Sequence, residues 1–396
     1  MNAPPELLFY CQHSLGMGHL VRSFALAEAL ARRFRVTLLN GGQLPSGLRL
    51  PEKVEIVSLP PLAMGEDKKL YSPDPRFTVD RAKAGRSETM LTLLGKRRPQ
   101  VLVIELFPFG RRKFADELTR LLDAAHAMGA DRPLVCCSLR DILVKSRRKK
   151  EAHDRWACDQ LNRYFDVVIA HSDPRFARLE ESFQPDQPLA VPIHYSGFVL
   201  PTRTVAPGTR ERRIVVSVGG GVVGGALLRA ALDAHRRLDD AHRPPMRMIA
   251  GPFLPDDEWS ALQQHATDRE GVEIVRSVPD VGAELAAATA SISQCGYNTA
   301  MDILYSGVSA LVVPFHQESE DEQLDRAKRL AELRALMLLE PRLLSADALA
   351  RAIPELLRFR PSPTALDLAG AANATTLIER LVTNRCGHLP RRPARA

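Results

Sequence analysis

The chain has 396 residues, of which 45% are hydrophobic, and its formal net charge is +7. The length predicts two domains, and the positive charge favours acidic partners such as nucleotides, phospholipid surfaces or nucleic acid, although it also fits a protein that is merely soluble. No run approaches the about 20 apolar residues that cross a bilayer, which excludes a membrane-spanning helix.

The six cysteines form no C-x-x-C pair, and most of them lie in or beside apolar runs. This pattern is typical of reduced structural thiols in a cytoplasmic protein. The first residues lack a basic segment followed by a long apolar one, so we expect no signal peptide. The sequence therefore predicts a cytoplasmic protein, with peripheral contact at the inner face of a membrane as its closest approach to lipid.

Apolar strands alternate with amphipathic helices in the first half of the chain. We predict strands at 7–11, 36–39, 54–57, 101–105, 134–137 and 167–170, helices at 18–33 and 79–96, and a long polar loop at 63–77. This order is that of a parallel α/β sheet wound on both faces.

The segment HSLGMGHLVR follows the first predicted strand. Gly16 and Gly18 allow a tight turn there, and His19 and Arg22 then lie in the first turns of the next helix. A histidine at this position can act as a general base for a hydroxyl group or orient that hydroxyl. It can equally donate a hydrogen bond to a diphosphate or cap the loop, and a lone G-x-G is a weak signal.

Charged side chains also follow other strands of the first half. Glu105 is a second candidate base or a partner for an arginine, and Arg111, Arg112 and Arg140 could bind a phosphate or carboxylate. His171 borders the same edge of the sheet, where it could also do no more than satisfy a loop carbonyl.

The second half repeats the rhythm after a segment rich in proline and charge. We predict an amino-terminal domain at 1–198, a linker at 199–212, a second Rossmann-like domain at 213–364, a helix at 365–384 and a disordered tail at 385–396. Within the second domain, strands are expected at 214–218, 246–250, 272–275, 291–293 and 311–314.

The segment VSVGGGVVGG follows the first strand of this second domain. Gly219, Gly220 and Gly221 permit close backbone approach, and their N–H groups could form a nest for phosphate oxygens. The alternative is a flexible turn.

The run from Ser291 to Ala327 is the most informative part of the chain. Gly296 provides a turn, Asn298 or Thr299 could cap the next helix, and the free N–H groups at its start suit an anion. Asp302 could accept hydrogen bonds from sugar hydroxyls. Further polar groups follow the next strand, at the edge where open α/β sheets bind ligands: His316, Gln317, Glu322 and Gln323. Residue by residue, an ordinary βαβ unit with a polar loop explains them equally well.

Taken together, this run resembles the donor-nucleotide signature of glycosyltransferase family 28. The positions that match are Gly296, Thr299, Asp302, Gly307, Pro314, Phe315, Gln323 and Ala327. Two positions differ, because the acid is usually Glu where this chain has Asp302, and the residue before the final alanine is usually Asn where it has Arg326. The glycine-glycine-histidine loop of the family corresponds to the region of His19, and its Gly-Gly-Ser loop has Gly221 in place of the serine.

The resemblance implies a GT-B fold, with two Rossmann-like domains facing a cleft. It further implies an inverting, metal-independent transfer of a hexose-type sugar from a nucleotide diphosphate, most simply UDP, to an acceptor hydroxyl. The donor would bind the second half, with Asp302 on the ribose and the backbone of Val278 on the uracil, although 276–281 could also be an ordinary strand end. Strings around Glu105 and Arg140 resemble a poorly characterised group of predicted glycosyltransferases.

No cofactor is expected, since the sequence has no D-x-D motif beside a strand and no zinc-type His/Cys spacing. The acceptor could be lipid-linked or a small glycoside, and nucleic acid is not expected as a partner. The basic run at 145–150 could contact anionic lipid, as in lipid-dependent relatives, although a solvated helix start explains it more simply. The alternatives are a nucleotide-sugar hydrolase, which the G-M-G-H-x-x-R string also resembles, a GT-B epimerase, and a non-enzymatic nucleotide-sugar or nucleic-acid binder.

Overall fold

A computed structural model describes residues 3–13, 18–44, 48–65, 69–145, 149–200, 209–239, 243–267, 269–317 and 321–387. The amino-terminal half is built on a parallel sheet of seven strands, which are β1 (Glu6–Cys11), β2 (Arg35–Asn40), β3 (Val54–Ser58), β6 (Val101–Glu105), β7 (Leu134–Arg140), β8 (Val167–His171) and β9 (Ile193–Tyr195). Their order in the sheet is β3-β2-β1-β6-β7-β8-β9. The central strands are buried on both faces, as a parallel sheet covered by helices requires.

Helices cover both faces of this sheet. They are α1 (Gly18–Leu30), α2 (Val79–Arg97), α3 (Ala115–Ala127) and α4 (Lys150–Tyr164). The Thr78 side chain caps α2 by accepting from the Arg81 N–H, and the chain leaves that helix through Arg98 in the left-handed region. The segment predicted as one long loop at 63–77 contains a small antiparallel pair, β4 (Ala63–Met64) and β5 (Leu70–Tyr71).

The second half holds a parallel sheet of six strands, β10 (Glu211–Ser217), β11 (Met246–Ile249), β12 (Val272–Val275), β13 (Ala288–Ser293), β14 (Ser309–Val312) and β15 (Met337–Leu338). Their order is β12-β11-β10-β13-β14-β15. The helices are α5 (Gly225–Arg236), α6 (Asp256–Ala266), α7 (Val281–Ala287), α8 (Tyr297–Ser306), α9 (Glu322–Glu332) and α10 (Ala346–Arg358).

The last helix, α11 (Gly370–Gly387), returns to the first half. Its residues Ala374, Leu377 and Ile378 join the apolar core that α1 forms with the first sheet. It begins at Gly370 rather than at 365, and it continues through Gly387, so residues 385–387 are helical where disorder was predicted. The rest of the predicted tail, 388–396, lies outside the described residues.

The predicted linker is described only at its two ends. Val199 is fully buried, and β10 already begins at Glu211. Residues 201–208 lie outside the described part, and the domain limits stay a prediction. Among the described residues, no helix combines the length and apolarity that a bilayer crossing demands.

Each sheet has one point where the strand order reverses direction. In the first sheet this point lies between β1 and β6, and in the second between β10 and β13. Open α/β sheets bind ligands at the carboxyl ends of the strands that flank such a point. Glu105 ends β6, and the segments carrying His19, Gly219 and Gly296 follow the other three strands, so the fold places the predicted motifs at both reversal points.

Candidate functional site

His19 and Glu105 meet across the reversal point of the first sheet. The imidazole Nδ1 of His19 lies 2.6 Å from Oε1 of Glu105. Glu105 is fully buried, and its carboxylate also accepts from Arg22 at 2.5 Å and from Arg111 at 3.1 Å. These three donors hold the Glu105 carboxylate beside His19, which fits the alternative of a partner for an arginine, and the role of a second base stays a prediction.

The protonation of this pair follows from its surroundings. Burial lowers the pKa of His19 to about 3, although the Glu105 carboxylate opposes that shift. Burial alone would raise the pKa of Glu105, but His19, Arg111 and Arg22 hold it well below its usual range. The carboxylate can only accept, so the neutral imidazole carries its proton on Nδ1 and keeps a lone pair on Nε2. Among the described residues, that Nε2 atom has no hydrogen-bond partner, which leaves it able to accept a proton from a ligand.

Two of the arginines predicted on the phosphate or acceptor side, Arg22 and Arg140, bind carboxylates of the protein itself. Arg22 is 2% exposed, and its guanidinium lies 5.2 Å from the centre of the Tyr297 ring as well as on Glu105. Arg140 pairs with Glu322 of the second half, with a hydrogen bond of 2.8 Å. Their predicted place on the phosphate or acceptor side stays a prediction. Gly16 lies outside the described residues.

Of the remaining candidates in the first half, Arg112 and His171 contact other side chains of the protein, whereas Arg111 lies beside His19 and Glu105. Arg112 stacks at 5.0 Å on the ring of Trp156, away from Glu105. His171 is fully buried between the hydroxyls of Ser138, at 2.8 Å, and Ser196, at 2.9 Å, and burial lowers its pKa to about 3. Its role is therefore structural, as the simpler alternative held, although hydroxyls rather than a carbonyl satisfy the ring. Arg111, whose side chain is 13% exposed, remains beside the imidazole of His19.

The glycine loop after β10 is only partly the nest that the sequence predicted. Gly221 has a φ of +93°, and its N–H donates to Val218 O at 3.3 Å, so it is not available to a phosphate. A Cβ on Gly221 would lie 2.5 Å from Ala250 O, which explains why the serine of the resembling loop is absent here. Gly219 also has a positive φ, of +62°, but its Cβ would meet open space. The N–H of Gly220 has no partner among the described residues.

The start of α8 differs in detail from the prediction. Gly296 is the residue that precedes the helix, its φ is −62°, and no side chain caps the first turn. Neither Asn298 nor Thr299 is the cap, and Gly296 turns the chain without using a conformation reserved for glycine. The first N–H groups of α8 thus meet no capping side chain, which preserves the predicted anion site at this helix end.

Asn298 connects this helix end to the other half of the molecule. Its Nδ2 donates to Gly18 O at 3.2 Å, at the beginning of α1. Its Oδ1 is buried and has no hydrogen-bond partner among the described residues. The N-termini of α1 and α8, each the positive end of a helix dipole, therefore lie beside each other where the two halves meet.

The other residues predicted to contact the donor lie on α8 and α9 and in the segments after β12 and β14. Asp302 lies on α8 and is 7% exposed, while His316 and Gln317 are exposed after β14. Val278 is half-buried against the core of the second half. The Oε1 of Gln323 accepts from the N–H groups of Cys295, at 3.1 Å, and Phe315, at 3.2 Å. That oxygen is therefore engaged inside the protein, and donor binding by Gln323 stays a prediction.

Sequence reasoning missed a buried ion pair between the halves. Arg326 and Asp141 are both fully buried in their side chains, and the guanidinium donates to the two carboxylate oxygens at 2.7 and 2.8 Å. Beside this pair, Lys145 of the basic run bonds Asp325 at 2.8 Å. Lys150 pairs with Asp154 and residues 146–148 lie outside the described part, so at least two of these lysines are neutralised. The signal for the pair was Arg326 itself, the departure that puts a charge where the family pattern has the neutral Asn.

No group of three or more His, Cys, Asp or Glu residues that could hold a metal ion occurs within the described ranges. Two surface cavities lie away from both reversal points. One is at the amino edge of the second sheet, between residues 211–213 and 271–273, and the other lies between α2 and α3. Neither contains a predicted site residue, so the cleft residues above remain the candidate site.

Comparison with known sequences supports the resemblance. Residues 215–381 match the Glycosyltransferase family 28 C-terminal domain. The UDP-N-acetylglucosamine–N-acetylmuramyl-(pentapeptide) pyrophosphoryl-undecaprenol N-acetylglucosamine transferase of Dichelobacter nodosus is 29% identical over 197 residues, which are 49% of this chain and 52% of that relative. The protein of the same name from Burkholderia thailandensis is 35% identical over 138 residues, 33% of this chain and 37% of the relative. The chain thus spans about half the length of the first of these relatives.

Solved structures share the whole fold at low sequence identity. MurG of Acinetobacter baumannii aligns with a TM-score of 0.55 at 16% identity, covering 97% of this chain and 100% of that one. A UDP-glucosyltransferase of Polygonum tinctorium aligns with a TM-score of 0.60 at 15% identity, covering 99% and 96%. These likenesses confirm the predicted GT-B fold, and the domain match confirms the predicted family resemblance.

Proposed function

We propose that this chain, whose second half carries a Glycosyltransferase family 28 C-terminal domain, is a glycosyltransferase that moves a hexose-type sugar from a UDP-sugar to an acceptor hydroxyl. One arrangement carries the proposal. A neutral histidine at the start of α1 and an uncapped helix end at the start of α8 lie together, joined by the bond from Asn298 to Gly18. We propose that the histidine is the base and the helix end the anion site, on opposite walls of one cleft.

The donor would bind the wall formed by the second half. The open N-terminus of α8 and the N–H of Gly220 suit the diphosphate, since main-chain donors and a helix dipole stabilise its negative charge. Asp302, farther along α8, would accept from the ribose hydroxyls, and the main chain at Val278 would pair with the base. The exposed His316 and Gln317 would face the sugar. The names of the curated relatives specify UDP-N-acetylglucosamine, which favours uridine as the nucleoside.

Chemistry would begin at the wall formed by the first half. Nε2 of His19 takes the proton of the acceptor hydroxyl while that oxygen attacks the anomeric carbon. The bond from this carbon to the diphosphate oxygen breaks, and its electron pair leaves with UDP. Attack from the side opposite the leaving group inverts the anomeric configuration. The positive charge that then develops on His19 is stabilised by Glu105 at 2.6 Å.

The leaving group is proposed to need no metal cofactor. The first N–H groups of α8 and the positive end of its dipole would stabilise the charge that develops on the UDP oxygen, and such preorganised donors can take the role of a cation. Added Mg²⁺ or EDTA should accordingly leave the rate unchanged.

The acceptor is proposed to be a lipid-linked saccharide or a small glycoside, handled by a cytoplasmic enzyme with peripheral membrane contact. The relatives' names specify a pyrophosphoryl-undecaprenol acceptor, which supports the first possibility. The formal charge of +7 is compatible with an approach to anionic lipid.

Incubation with a panel of UDP-sugars, with and without lipid-linked and soluble acceptors, tests the assignment. Acceptor-dependent release of UDP together with a glycosylated product is the expected result. Equal UDP release without acceptor would instead identify a nucleotide-sugar hydrolase, interconversion of the sugars an epimerase, and binding without turnover a non-enzymatic binder. A His265→Ala variant, changed on the exposed face of α6, serves as the control of protein quality.

A further inference from the structure

The backbone of one residue next to the candidate anion site is held at both its N–H and its carbonyl by a single helix. Cys295 immediately precedes Gly296, the residue that leads into α8. Its N–H donates to Oε1 of Gln323 at 3.1 Å, and its carbonyl accepts from Arg326 at 2.8 Å. Both of these side chains project from α9, three residues apart. The position of the first N–H groups of α8 therefore depends on α9.

Arg326 is in turn oriented by the other half of the molecule. Asp141, which directly follows β7, accepts two hydrogen bonds from its guanidinium, and both side chains have no exposed surface. A planar guanidinium in such a bidentate pair has one orientation, and its remaining N–H bond to Cys295 O is fixed with it. A chain of contacts thus runs from the first half, through Arg326, to the start of α8.

We propose that Arg326 and Gln323 are positioning residues for the diphosphate, and that Asp141 makes this positioning dependent on the alignment of the two halves. The proposal rests on the proposed function, since it assumes that UDP binds at the start of α8. The family pattern has Asn at the position of Arg326. We assign to Arg326 a contact inside the protein, with the Cys295 carbonyl, and not a contact with the sugar. The alignment of α8 then depends on a contact between the halves instead of on α9 alone.

The interface between the halves offers a matched control on the same helix. Arg329 also projects from α9 and bonds Glu181 and the Phe176 carbonyl of the first half, but it makes no hydrogen bond to the Cys295 segment. If attachment of the halves alone governed donor binding, loss of either arginine would weaken it. If Arg326 acts through Cys295, only changes at Arg326 should do so.

The experiment compares Arg326→Lys, the double variant Asp141→Ala/Arg326→Ala, and Arg329→Ala, each in the full chain. Lysine keeps the positive charge but cannot donate the three hydrogen bonds that the planar guanidinium makes to Asp141 and Cys295. The double variant removes both charges, so neither is left buried without its partner. Calorimetric titration with UDP and thermal unfolding are measured for all of them, with kcat and KM for the UDP-sugar.

We expect Arg326→Lys and the double variant to raise the Kd for UDP and the KM for the donor 5- to 10-fold, as roughly one lost neutral hydrogen bond would. Arg329→Ala should lower the unfolding temperature and leave both constants unchanged. Wild-type affinity in Arg326→Lys, or equal weakening by Arg329→Ala, would overturn the positioning role while leaving the transferase assignment intact. A wild-type chain that bound no UDP would overturn the proposed function, and this inference with it.

Discussion

The Nδ1 atom of His19 lies 2.6 Å from Oε1 of Glu105; His19 follows β1, and Glu105 ends the neighbouring strand β6. Arg22 donates to the same carboxylate oxygen and Arg111 to the other one. The ring is thereby fixed in one tautomer and one orientation before any ligand arrives. Such preorganisation is what a general base needs, because the geometry need not be assembled during the reaction.

Replacement of His19 by alanine should reduce turnover while donor binding persists. General-base catalysis contributes roughly 10²- to 10⁴-fold, so we expect kcat to fall by about that factor. The donor contacts proposed on α8 lie in the other half, so the Kd for UDP should change less than about 2-fold, within the scatter of surface substitutions. Steady-state kinetics and calorimetry check both expectations.

His265→Ala is the matched control for this change, because His265 is an exposed histidine paired with Asp233 on the far side of the second half. It should retain wild-type kcat. Unchanged turnover in His19→Ala would remove His19 from the mechanism, whatever the binding data showed.

The Glu105→Gln variant tests how much the carboxylate that holds His19 contributes to the stability of the protein. The amide can still accept from Nδ1, but Arg22 and Arg111 lose the charge that compensates them in a buried site. Breaking a buried ion pair from one side costs about 3–5 kcal/mol, so we expect a loss of unfolding free energy of that order. Chemical denaturation measures this loss, and a variant as stable as the wild type would show that the arginines find other partners.

The pH dependence of stability follows from the same histidine. Burial lowers the folded pKa of His19 to about 3, whereas a histidine in the unfolded chain titrates near 6.5. Between these values the unfolded chain binds a proton that the folded chain does not, so stability falls as pH decreases through this window. The contribution is up to about 1.4 kcal/mol per pH unit.

His19→Gln removes this contribution, so its unfolding free energy should fall less steeply than that of the wild type between pH 6.5 and 5. That window lies above the ordinary carboxyl pKa values and isolates the histidines. His171, whose pKa burial also lowers to about 3, is unchanged in the variant and keeps its own share of the slope. Parallel curves for the two proteins would mean that His19 titrates normally in the folded state.

Strands were the most predictable part of this molecule. Residues 101–105 were predicted with the limits that the structure gives, because a short apolar run bounded by polar turns can form little else in an α/β chain. The limits of 272–275 were also predicted, although this strand is only partly buried. The loops after β10 and β13 lie at one edge of their sheet, as expected for the carboxyl ends of parallel strands. The short β9 and β15 were missed because they have little apolar pattern of their own.

Side-chain partners between distant segments were not predictable in the same way. Arg326 and Asp141 are 185 residues apart, and nothing in either local sequence indicates the other. The same holds for Gln323, whose position matched the family pattern but whose oxygen binds two main-chain N–H groups. The pairing of Arg326 with Asp141 depends on how the two halves face each other, and that of Gln323 on how α9 packs against the segments after β13 and β14. Periodicity encodes neither.

The two glycines with positive φ in the loop after β10 should respond differently to substitution. A side chain at Gly221 would need both a left-handed backbone and space that Ala250 O occupies, so Gly221→Ala should destabilise the fold by about 1–3 kcal/mol or more. Gly219→Ala meets only the backbone cost, about 1 kcal/mol, because its Cβ faces open space. Thermal unfolding ranks the two, and a Gly221→Ala protein as stable as Gly219→Ala would contradict the packing described here.

Replacement of Asp302 by alanine tests the donor site itself. The carboxylate lies on α8, beyond the helix start proposed to bind the diphosphate, at a distance along the helix that suits the ribose of the same nucleotide. Hydrogen bonds to a charged group contribute about 1.5–3 kcal/mol, so the Kd for UDP should rise roughly 10- to 100-fold. The Kd for inorganic diphosphate, which has no ribose, should stay the same, and this difference separates a lost contact from a distorted helix. Asp347→Ala, an exposed acid in the first turn of α10, is the control. Equal weakening of UDP and diphosphate would show that Asp302 supports α8 instead of binding the nucleotide.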